Sequence, residues 1–488
     1  MPFNSESMII EIRESVEKMI GQVSGKAAGK ATADQMEREL FRLLLKLGAQ
    51  LLALFFANRS EASERTSAQL KSGAEVPYYQ EKSRKYVSIF GMIELRRPYF
   101  YKQGVGGISP LDGELNLNET SYSDLVCEWL ERLGVQGAYH KASQLMADFF
   151  GLGLSSRIVH EQIKHDAEAV LDYYAQKAAP CADEEAELLV IQADGKGVPM
   201  VSEASASQPV RLGKGEKHSR KKEAIVTAIY TIAATPRTPQ AVVDSLFLLN
   251  SPVTPTAQRN LPQHKQLEAT LEGKDNALNR LAQRAAARQG AHIQAKIALC
   301  DGCEALQTRL RHTFPDFTLV LDFIHANEYL WQVATALWGE ASPDRCPWMQ
   351  QQTLRLLSGQ AAALILDFRH RAQADSATAH LRKQLLTTAA YFERNLPYMD
   401  YPTYLAQGWP IASGVIEGAC RHFVKDRCEL SGMRWSLAGV ESLLRLRSVA
   451  ENGDWDHFHT FRKQQRMSRL YLFPQASSAS PEQLMLVA

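Results

Sequence analysis

Residues 188–197, LLVIQADGKG, run from an apolar strand into a polar segment with two glycines, and Asp194 stands where the character changes. A carboxylate at the end of a buried strand is costly unless it binds a partner. Residues 298–302, ALCDG, repeat this order with Asp301 in the same place. The repeated pattern predicts an acidic site built from separate strand ends of one sheet.

Two further segments extend this pattern. A third apolar strand ends in LVLDFIH, with Asp322 followed by His325, and Glu417 lies later in ASGVIEG. More than a hundred residues separate Asp194 from Asp301, and again Asp301 from Glu417. A local loop site such as an EF-hand is therefore excluded, and only a folded sheet could bring these acids together.

The composition is that of an ordinary globular protein with two to four domains. Of the 488 residues, 45% are hydrophobic and 22% are charged, and the net charge is only +1. The net charge of the whole chain therefore gives no evidence for a nucleic-acid partner. Attraction to phosphate would have to come from local clusters of basic residues. One such cluster lies between Arg211 and Lys222, where six basic residues accompany one acid. Phosphate binding and a solvated hairpin tip are equally good interpretations of it.

Cysteine usage and apolar stretches indicate a cytoplasmic protein. The seven cysteines lack the spacing of a secreted disulfide scaffold, and no basic-then-apolar leader opens the chain. Cys300 and Cys303 flank Asp301 without a second pair at zinc-ribbon spacing, so packing of a strand end explains them better than zinc does. The most apolar stretch, residues 40–57, contains an arginine and a lysine. We predict a core or dimer-forming helix there rather than a membrane span.

Periodicity predicts a helical region with one hairpin in the first 180 residues. Leucines recur at helical spacing over residues 33–58, and residues 86–100 predict two strands around Gly91. A helix over 142–150, a glycine turn and a second helix from Ser155 have the proportions of a helix-turn-helix, although such pairs are common in any helical domain. The side chains of the second helix that suit phosphates and base edges are Arg157, His160, Gln162 and Lys164.

The following segment alternates between strand and helix. Two antiparallel strands soon after the first, then strands and helices in turn, indicate a ribonuclease-H-like sheet rather than a dinucleotide-binding fold. No Gly-x-Gly-x-x-Gly follows any of these strands, which weakens the nucleotide-cofactor alternative. We predict strands at 187–194, 224–234, 241–249, 293–300 and 317–324, and helices at about 266–289, 303–313, 326–407 and 413–430.

The predicted fold is an α+β multidomain protein. A ribonuclease-H-like catalytic core carries an all-helical insertion and follows a helical N-terminal DNA-binding region. The predicted domains are a helical arm with a β-hairpin at 1–115, a helix-turn-helix-like domain at 116–180, the first part of the core at 181–325, the insertion at 326–408, the last part of the core at 409–470 and a flexible tail at 471–488.

Carboxylates gathered in this way suit metal-dependent phosphoryl transfer. Two divalent ions about 3.5–4 Å apart can activate a nucleophilic oxygen, stabilise the developing charge and neutralise the leaving oxygen. Mg²⁺ and Mn²⁺ prefer oxygen ligands, and we expect Asp194 to bridge both ions while Asp301 and Glu417 complete one each. Each acid also has a structural interpretation, since Asp-Gly after a strand is often a turn and Glu417 could pair with Arg421 along a helix.

These residues resemble the ISKra-type insertion-sequence transposases, which are allied to the Mutator-like group of acidic-triad (DDE) recombinases. The resemblance covers most of residues 80–460, and its last block is the most specific. The motifs that carry it are DGKGVPM at 194–200, GEK at 215–217 with RKKEA at 220–224, CDG at 300–302, DFIH at 322–325, SGVIEGACR at 413–421, KDR at 425–427 and SGMRW at 431–435.

The resemblance implies a ribonuclease-H-like nuclease core with Asp194, Asp301 and Glu417 as the catalytic, metal-binding triad for two Mg²⁺ or Mn²⁺ ions. It also implies that Asp322 and His325 form an Asp-x-x-His element, in which His325 acts near the scissile phosphate and Asp322 supports it. A histidine in such a position is otherwise more often a packed core residue. The cations predicted to hold DNA are Arg421, Lys425, Arg427, Arg434, Lys217, Arg220, Lys221, Lys222, Arg157 and Lys164.

The predicted function is that of a DNA transposase of a mobile element in the bacterial cytoplasm, associated with the nucleoid. It would bind the terminal inverted repeats of its element and then cleave and transfer strands, with water and the freed 3′-hydroxyl as successive nucleophiles. Synapsis of two ends implies a homodimer or higher homo-oligomer, aided by the leucine-rich arm, and no membrane. The alternatives are a domesticated, non-catalytic DNA-binding protein and a stand-alone nuclease with the same core.

Overall fold

The computed structural model describes residues 5–26, 28–201, 221–247, 260–430 and 432–470. Within these residues the chain is a mixed α/β protein with many helices and two β-sheets. It divides into two compact units. One contains the described residues up to Tyr173 and from Asp454 onward, and the other is Tyr174–Gly453. The six domains predicted from the sequence are finer than this division and stay predictions, and the predicted tail at 471–488 lies outside the described residues.

The first unit opens with two long helices, α1 (Ser5–Ser24) and α2 (Ala33–Glu61). A capping box begins α2, because the Thr32 hydroxyl accepts from the Gln35 N–H and the Gln35 side chain accepts from the Thr32 N–H. An antiparallel sheet follows, whose strands in spatial order are β1 (Ser67–Gln69), β2 (Glu75–Ser88), β3 (Gly91–Lys102) and β4 (Gly106–Ile108). The predicted hairpin is thereby confirmed, and Gly91 supplies its left-handed turn residue with φ +117°.

Within the described part of the chain, α2 alone is long and apolar enough to cross a membrane by length and composition. Only 6% of its most apolar window is buried. One side of α2 lies along the hairpin, where Phe56 packs edge-on against Tyr86 with ring centroids 5.0 Å apart. The Phe90 ring occupies the space that a side chain at Gly48 would need, so only glycine allows this close approach.

A helical group completes the first unit. The helices α5 (Tyr139–Phe150) and α6 (Ser156–Ala167) confirm the two helices predicted for the helix-turn-helix-like segment, and Gly151 ends the first of them with φ +67°. The members of the group are α3 (Pro110–Glu114), α4 (Asp124–Gln136), α5 (Tyr139–Phe150), α6 (Ser156–Ala167), α7 (Val170–Gln176) and α19 (Trp455–Leu470).

The second unit is built on a five-stranded mixed sheet. Its strands are β5 (Leu188–Pro199), β6 (Lys221–Ile232), β7 (Gln263–Thr270), β8 (Ala295–Cys300) and β9 (Thr318–Leu321). Their spatial order is β7-β6-β5-β8-β9, in which β5, β6 and β7 are antiparallel neighbours and β5, β8 and β9 are parallel ones.

Two predictions for this sheet are wrong. The segment predicted as a strand at 241–249 is the helix α8 (Pro239–Phe247), an amphipathic helix with only Val243 buried. The third strand is instead β7, which takes the first residues of the segment predicted as a helix at 266–289, and Gly273 separates it from α9 (Lys274–Ala287). The polar composition of β7 gives no strand-like hydrophobic pattern. Its Glu268 lies on the edge strand of the sheet and pairs with Arg280 and Arg284.

Both faces of the sheet are covered, as the unbroken apolar run of β5 predicts. Leu189 and Ile191 pack with α9 and with α10 (Glu304–Thr313) on one face. Leu188 and Val190 pack on the other face against the helical segment that follows β9. That segment confirms the predicted helices and contains α11 (Phe323–Trp338), α12 (Arg345–Leu357), α13 (Ala361–Gln373), α14 (Ala379–Asn395) and α15 (Tyr401–Ala406).

The chain then returns to the sheet through a helix of uneven winding. The helix predicted at 413–430 consists of α16 (Gly414–Gly418), a π-helical stretch (Ala419–Lys425) and α17 (Asp426–Cys428). The unit ends with α18 (Leu437–Glu451). A π-helical stretch often marks a functional site, because it redirects side chains that an α-helix would place elsewhere.

Candidate functional site: an acidic centre at one edge of the second sheet

Asp194 and Asp301 lie at the same level on neighbouring parallel strands. The pairing of β5 with β8 runs as far as Gln192 opposite Leu299, and each aspartate is two residues further along its own strand. Neighbouring strands are about 4.8 Å apart. The carboxyl ends of these two strands therefore bring two acids to one edge of the sheet, although 106 residues lie between them in the sequence.

Asp322 extends this row to the third parallel strand. Cys300 of β8 is opposite Leu321 of β9, so Asp322 is level with Asp301. The backbone N–H of Asp322 donates to the carbonyl oxygen of Cys300 over 2.8 Å, which holds the two strand ends together at this point. Asp194 lies within β5, whereas Asp301 and Asp322 directly follow β8 and β9, so the three aspartates stand side by side on three adjacent parallel strands.

Hydrogen bonds tie the segment with Glu417 to the same edge. The amide side chain of Gln192, which is fully buried in β5, accepts from the N–H of Ile416 over 2.9 Å. One turn further on, the Cys420 thiol lies 3.3 Å from Oδ2 of Asp194. Glu417 and Cys420 are three residues apart and share a helix face, so Glu417 lies on the side that faces the strand ends.

A hydrogen-bonded cluster surrounds Asp322. Its carboxylate is fully buried, and Oδ1 caps α11 by accepting from the N–H of Ile324 over 2.8 Å. Oδ2 accepts from the Ser413 hydroxyl and from Nδ1 of His325, the latter over 2.8 Å. Ser413 also lies 3.1 Å from Oε1 of Glu417, and potential ligand atoms of Asp322, His325 and Glu417 are all within 4.8 Å of one another.

The electrostatics of the cluster are those of an acidic site with one internal cation. The hydrogen bond to Asp322 raises the pKa of His325 to about 9, and the charge of Asp301 adds to this effect. His325 is therefore an imidazolium at neutral pH. Burial and the charge of Asp322 raise the pKa of Glu417 above its usual range. The negative charge of Asp322 contributes to both shifts, and a bound cation would offset it.

Asp194 and Asp301 retain capacity to bind a cation. Oδ1 of Asp194 accepts from the N–H of Gly195 over 2.6 Å, and within the described part of the chain the Cys420 thiol is the one hydrogen-bond partner of Oδ2. Oδ1 of Asp301 accepts from the N–H of Cys303 over 3.1 Å, and among the described residues no hydrogen bond is made by Oδ2. Both side chains are half-exposed. These oxygens are the ligand type that Mg²⁺ and Mn²⁺ require.

The structure supplies contacts that the sequence did not single out. Gln192, Ser413 and Cys420 connect the acids to one another, yet none of them was predicted as a site residue. Gln192 did leave a signal, because a polar residue inside the run LLVIQA is buried and needs a hydrogen-bond partner. Ser413 stands four residues before Glu417, which is a spacing that brings two side chains to one helix face.

The predicted DNA-binding cations have several locations. The prediction that Arg427 holds DNA is wrong. Its side chain is 1% exposed and lies 5.0 Å from the ring centre of Trp435, so it cannot reach DNA. Gln162 is also buried, within α6, and is not available to read bases. Lys217 and Arg220 lie outside the described residues. The exposed candidates are Arg421, Lys425 and Arg434 after Glu417, Lys221 and Lys222 on β6, and Arg157 and Lys164 on α6.

A second group with the spacing of metal ligands lies in the first unit. Glu131, Asp166 and His459 are all buried, and potential ligand atoms lie within 4.8 Å of one another. Here Arg462 pairs with Asp166, and Nδ1 of His165 lies 2.7 Å from the other oxygen of that carboxylate. A guanidinium already supplies the positive charge in this group, so the acidic centre of the second unit is the better candidate for a metal ion.

Comparisons with known proteins add little to this geometry. No family model and no curated protein sequence matches the chain. Among solved structures, the chain is similar to the one titled "Drosophila P element transposase strand transfer complex", with 10% sequence identity and a TM-score of 0.25. The similarity covers 71% of this chain and 82% of that one. A similarity of this size carries no argument, so a function has to be argued from the acidic centre itself.

Proposed function

We propose that this chain is a metal-dependent DNA transposase of the ISKra type, with a ribonuclease-H-like core in its second unit. The observation that carries the proposal is the acidic centre. Asp194 and Asp301 are level on neighbouring parallel strands, and the segment with Glu417 is hydrogen-bonded to the strand of Asp194. These contacts support a site in which three carboxylates from distant parts of the sequence act together.

The strand order supports a ribonuclease-H-like core. Three antiparallel strands come first in the sequence, and two parallel strands then join the free side of the first one. The acids stand on the first and fourth of these strands and on a helix that follows a long helical segment. This arrangement is the one that the sequence resemblance implies for the DDE recombinases.

The proposed roles follow from the donor set. Asp194, Asp301 and Glu417 would hold two Mg²⁺ or Mn²⁺ ions, which when bound supply activation of the attacking oxygen and neutralisation of the leaving one. Ser413, whose hydroxyl lies 3.1 Å from Oε1 of Glu417, would help to position that carboxylate. His325, protonated and held by Asp322, would offer its second N–H to a phosphate oxygen of the DNA backbone.

Two exposed sets of cations are the proposed DNA contacts. Arg421, Lys425 and Arg434 follow Glu417 in the chain and would hold the backbone of the strand being cut. Arg157 and Lys164 are exposed on α6, seven residues and about two turns apart, so they share one helix face. That face is the proposed contact for the terminal repeats of the element.

Cleavage of DNA that carries the ends flanking the gene tests the proposal. We expect Mg²⁺- or Mn²⁺-dependent cutting followed by joining to a target duplex. Asp194→Asn, Asp301→Asn and Glu417→Gln should each lower the cleavage rate by roughly 1000-fold or more while DNA binding persists. The matched control is Asp375→Asn, an exposed aspartate outside the acidic centre that should cleave normally.

A readout that does not depend on activity accompanies this assay. Mn²⁺ should raise the unfolding temperature of the wild type but not that of Asp194→Asn, because only a bound ligand stabilises the folded state. Binding to DNA without cutting under any metal would instead favour the domesticated DNA-binding protein. Cutting without joining would favour the stand-alone nuclease.

A further inference from the structure

An apolar stripe runs along the exposed side of α2. Phe41, Leu44, Leu51 and Phe55 are spaced by three, seven and four residues, which places them on one helix face, and each is 45–54% exposed. Large apolar residues at such regular spacing are unusual on a free surface. Singly exposed leucines need no explanation, but a continuous stripe indicates a binding surface.

A second stripe runs along α1. Ile9, Val16, Ile20 and Val23 are spaced by seven, four and three residues and are exposed as well. The half-buried apolar residues of α1 include Met8, Ile12 and Met19, which lie about a quarter turn away around the helix. Met8 and Ile12 line a cavity of about 440 Å³ together with α2 residues and β3 residues, so that side of α1 already has its partners.

Both stripes lie on the same side of the helical pair. The helices are antiparallel, since Ser5 at the start of α1 donates from its N–H and its hydroxyl to Glu61 at the end of α2, over 3.0 and 2.7 Å. In such a pair, helix geometry turns the two exposed stripes toward one surface, away from the cavity and from the side of α2 that holds Phe56 against the hairpin. The result is one joint apolar surface, formed by α1 and α2.

The size of the joint apolar surface fits a protein partner. Each large apolar side chain offers roughly 150–200 Å². At their observed exposure, the eight side chains present on the order of 650 Å². Stable dimers bury about 800 Å² per partner, part of it in a polar rim. The joint apolar surface is thus large enough to form the centre of such an interface.

A lipid surface is a poorer match. A membrane-crossing helix is apolar all round, whereas the polar sides of α2 carry Arg38, Arg42 and Lys46. A helix that lies on an anionic membrane is rich in lysine and arginine. In α1 the acidic residues outnumber the basic ones, since Glu6, Glu11, Glu14 and Glu17 stand against Arg13 and Lys18.

We infer that the joint apolar surface of α1 and α2 docks against the same surface of a second copy of this chain. The two helical pairs then form a four-helix bundle around a two-fold axis, an arrangement in which one patch on each copy suffices. This interface does not depend on the acidic centre, so either proposal can fail without the other.

The mass of the full chain in solution tests the inference. We expect light scattering after size-exclusion chromatography to give about 109 kDa at 20 µM, twice the 54.5 kDa of one chain. Leu44→Glu combined with Leu51→Glu should reduce this to the mass of one chain, because two charges would have to be buried in the bundle. Ile20→Glu on α1 should weaken the dimer in the same direction.

The controls separate this surface from general apolar exposure and from the acidic centre. Leu366→Glu combined with Leu386→Glu changes two exposed leucines of the second unit and should leave the dimer intact, as should Asp194→Asn. Circular dichroism should be the same for all variants. A monomeric wild type, a dimer that survives Leu44→Glu with Leu51→Glu, or a monomer that floats with phosphatidylglycerol vesicles would each overturn the inference.

Discussion

Two clusters in this protein contain the same residue types, acids and a histidine, but differ in burial and in charge balance. In the first unit, Glu131, Asp166 and His459 are at most 2% exposed, and Arg462 pairs with Asp166. In the second unit, Asp322, His325 and Glu417 lie close together beside the row of aspartates on three parallel strands, and there His325 is half-exposed and Glu417 is exposed.

The pKa values of the two histidines reflect this difference in burial and charge. Burial lowers the pKa of His459 to about 3, so its ring is neutral, whereas Asp322 raises the pKa of His325 to about 9. A buried group whose charge is already balanced by arginine holds helices together. A half-exposed group with an excess of carboxylates can still accept a cation from solution. Exposure and charge balance, rather than residue type, therefore distinguish the buried cluster of the first unit from the proposed metal site of the second.

Removing the arginine should have the largest effect on stability. Arg462→Met keeps most of the side-chain volume but removes the guanidinium that pairs with Asp166, so this buried carboxylate stays beside Glu131 with His165 as its remaining basic neighbour. We expect a loss of about 3–5 kcal/mol in the free energy of unfolding, measured by urea denaturation at pH 7. Arg421→Met, at an exposed position beside the acidic centre, should change it by less than about 0.5 kcal/mol. Equal losses in the free energy of unfolding for Arg462→Met and Arg421→Met would contradict the stabilising role assigned to Arg462 in the buried cluster.

A smaller effect should come from Ser413. Ser413→Ala removes the hydroxyl that donates to Asp322 and lies 3.1 Å from Oε1 of Glu417. Because hydrogen bonds to charged groups contribute about 1.5–3 kcal/mol, we expect a loss in that range in metal-free buffer. Ser376→Ala, at an exposed position, serves as the control and should be neutral. A neutral Ser413→Ala would show that the hydroxyl does not hold the acids together.

The smallest effect should be a difference in pH dependence between the histidines. The folded-state pKa of His325 is above its unfolded value, so its stabilising contribution is present below about pH 6.5 and is lost as the pH rises through 9. The folded-state pKa of His459 is lowered, so the unfolded chain binds the extra proton and stability falls as the pH drops from about 6.5 toward 3.

Unfolding temperatures of His325→Gln and His459→Gln against wild type, measured in chelator, check both signs. The advantage of the wild type over His325→Gln should shrink between pH 6.5 and 9, whereas its advantage over His459→Gln should shrink as the pH falls below 6.5. The first change should be modest, because His325 is partly screened by water. Two curves of the same sign would mean that the clusters do not differ as described.

Much of the acidic centre was predictable from local sequence. Apolar runs that end in Asp194, Asp301 and Asp322 predict three strands with acids at their ends, and all three strands are present, although β5 continues beyond Asp194 to Pro199. The strand β7 was not predictable in this way, because six of its eight residues are polar and its pairing with β6 is a long-range contact. The prediction of a strand at 241–249 was wrong because a short apolar segment of that length suits a helix equally well.

The sequence by itself determined where the strands end in carboxylates and which helices have an apolar face, because hydrophobic periodicity is a local property of the chain. Only the tertiary structure decided that Gln192 binds the backbone before Glu417, that Arg427 is buried against Trp435, and that Arg462 balances Asp166. Each of these contacts depends on register or packing between elements. Their energies come from desolvated charges and hydrogen bonds, whose partners no local pattern specifies.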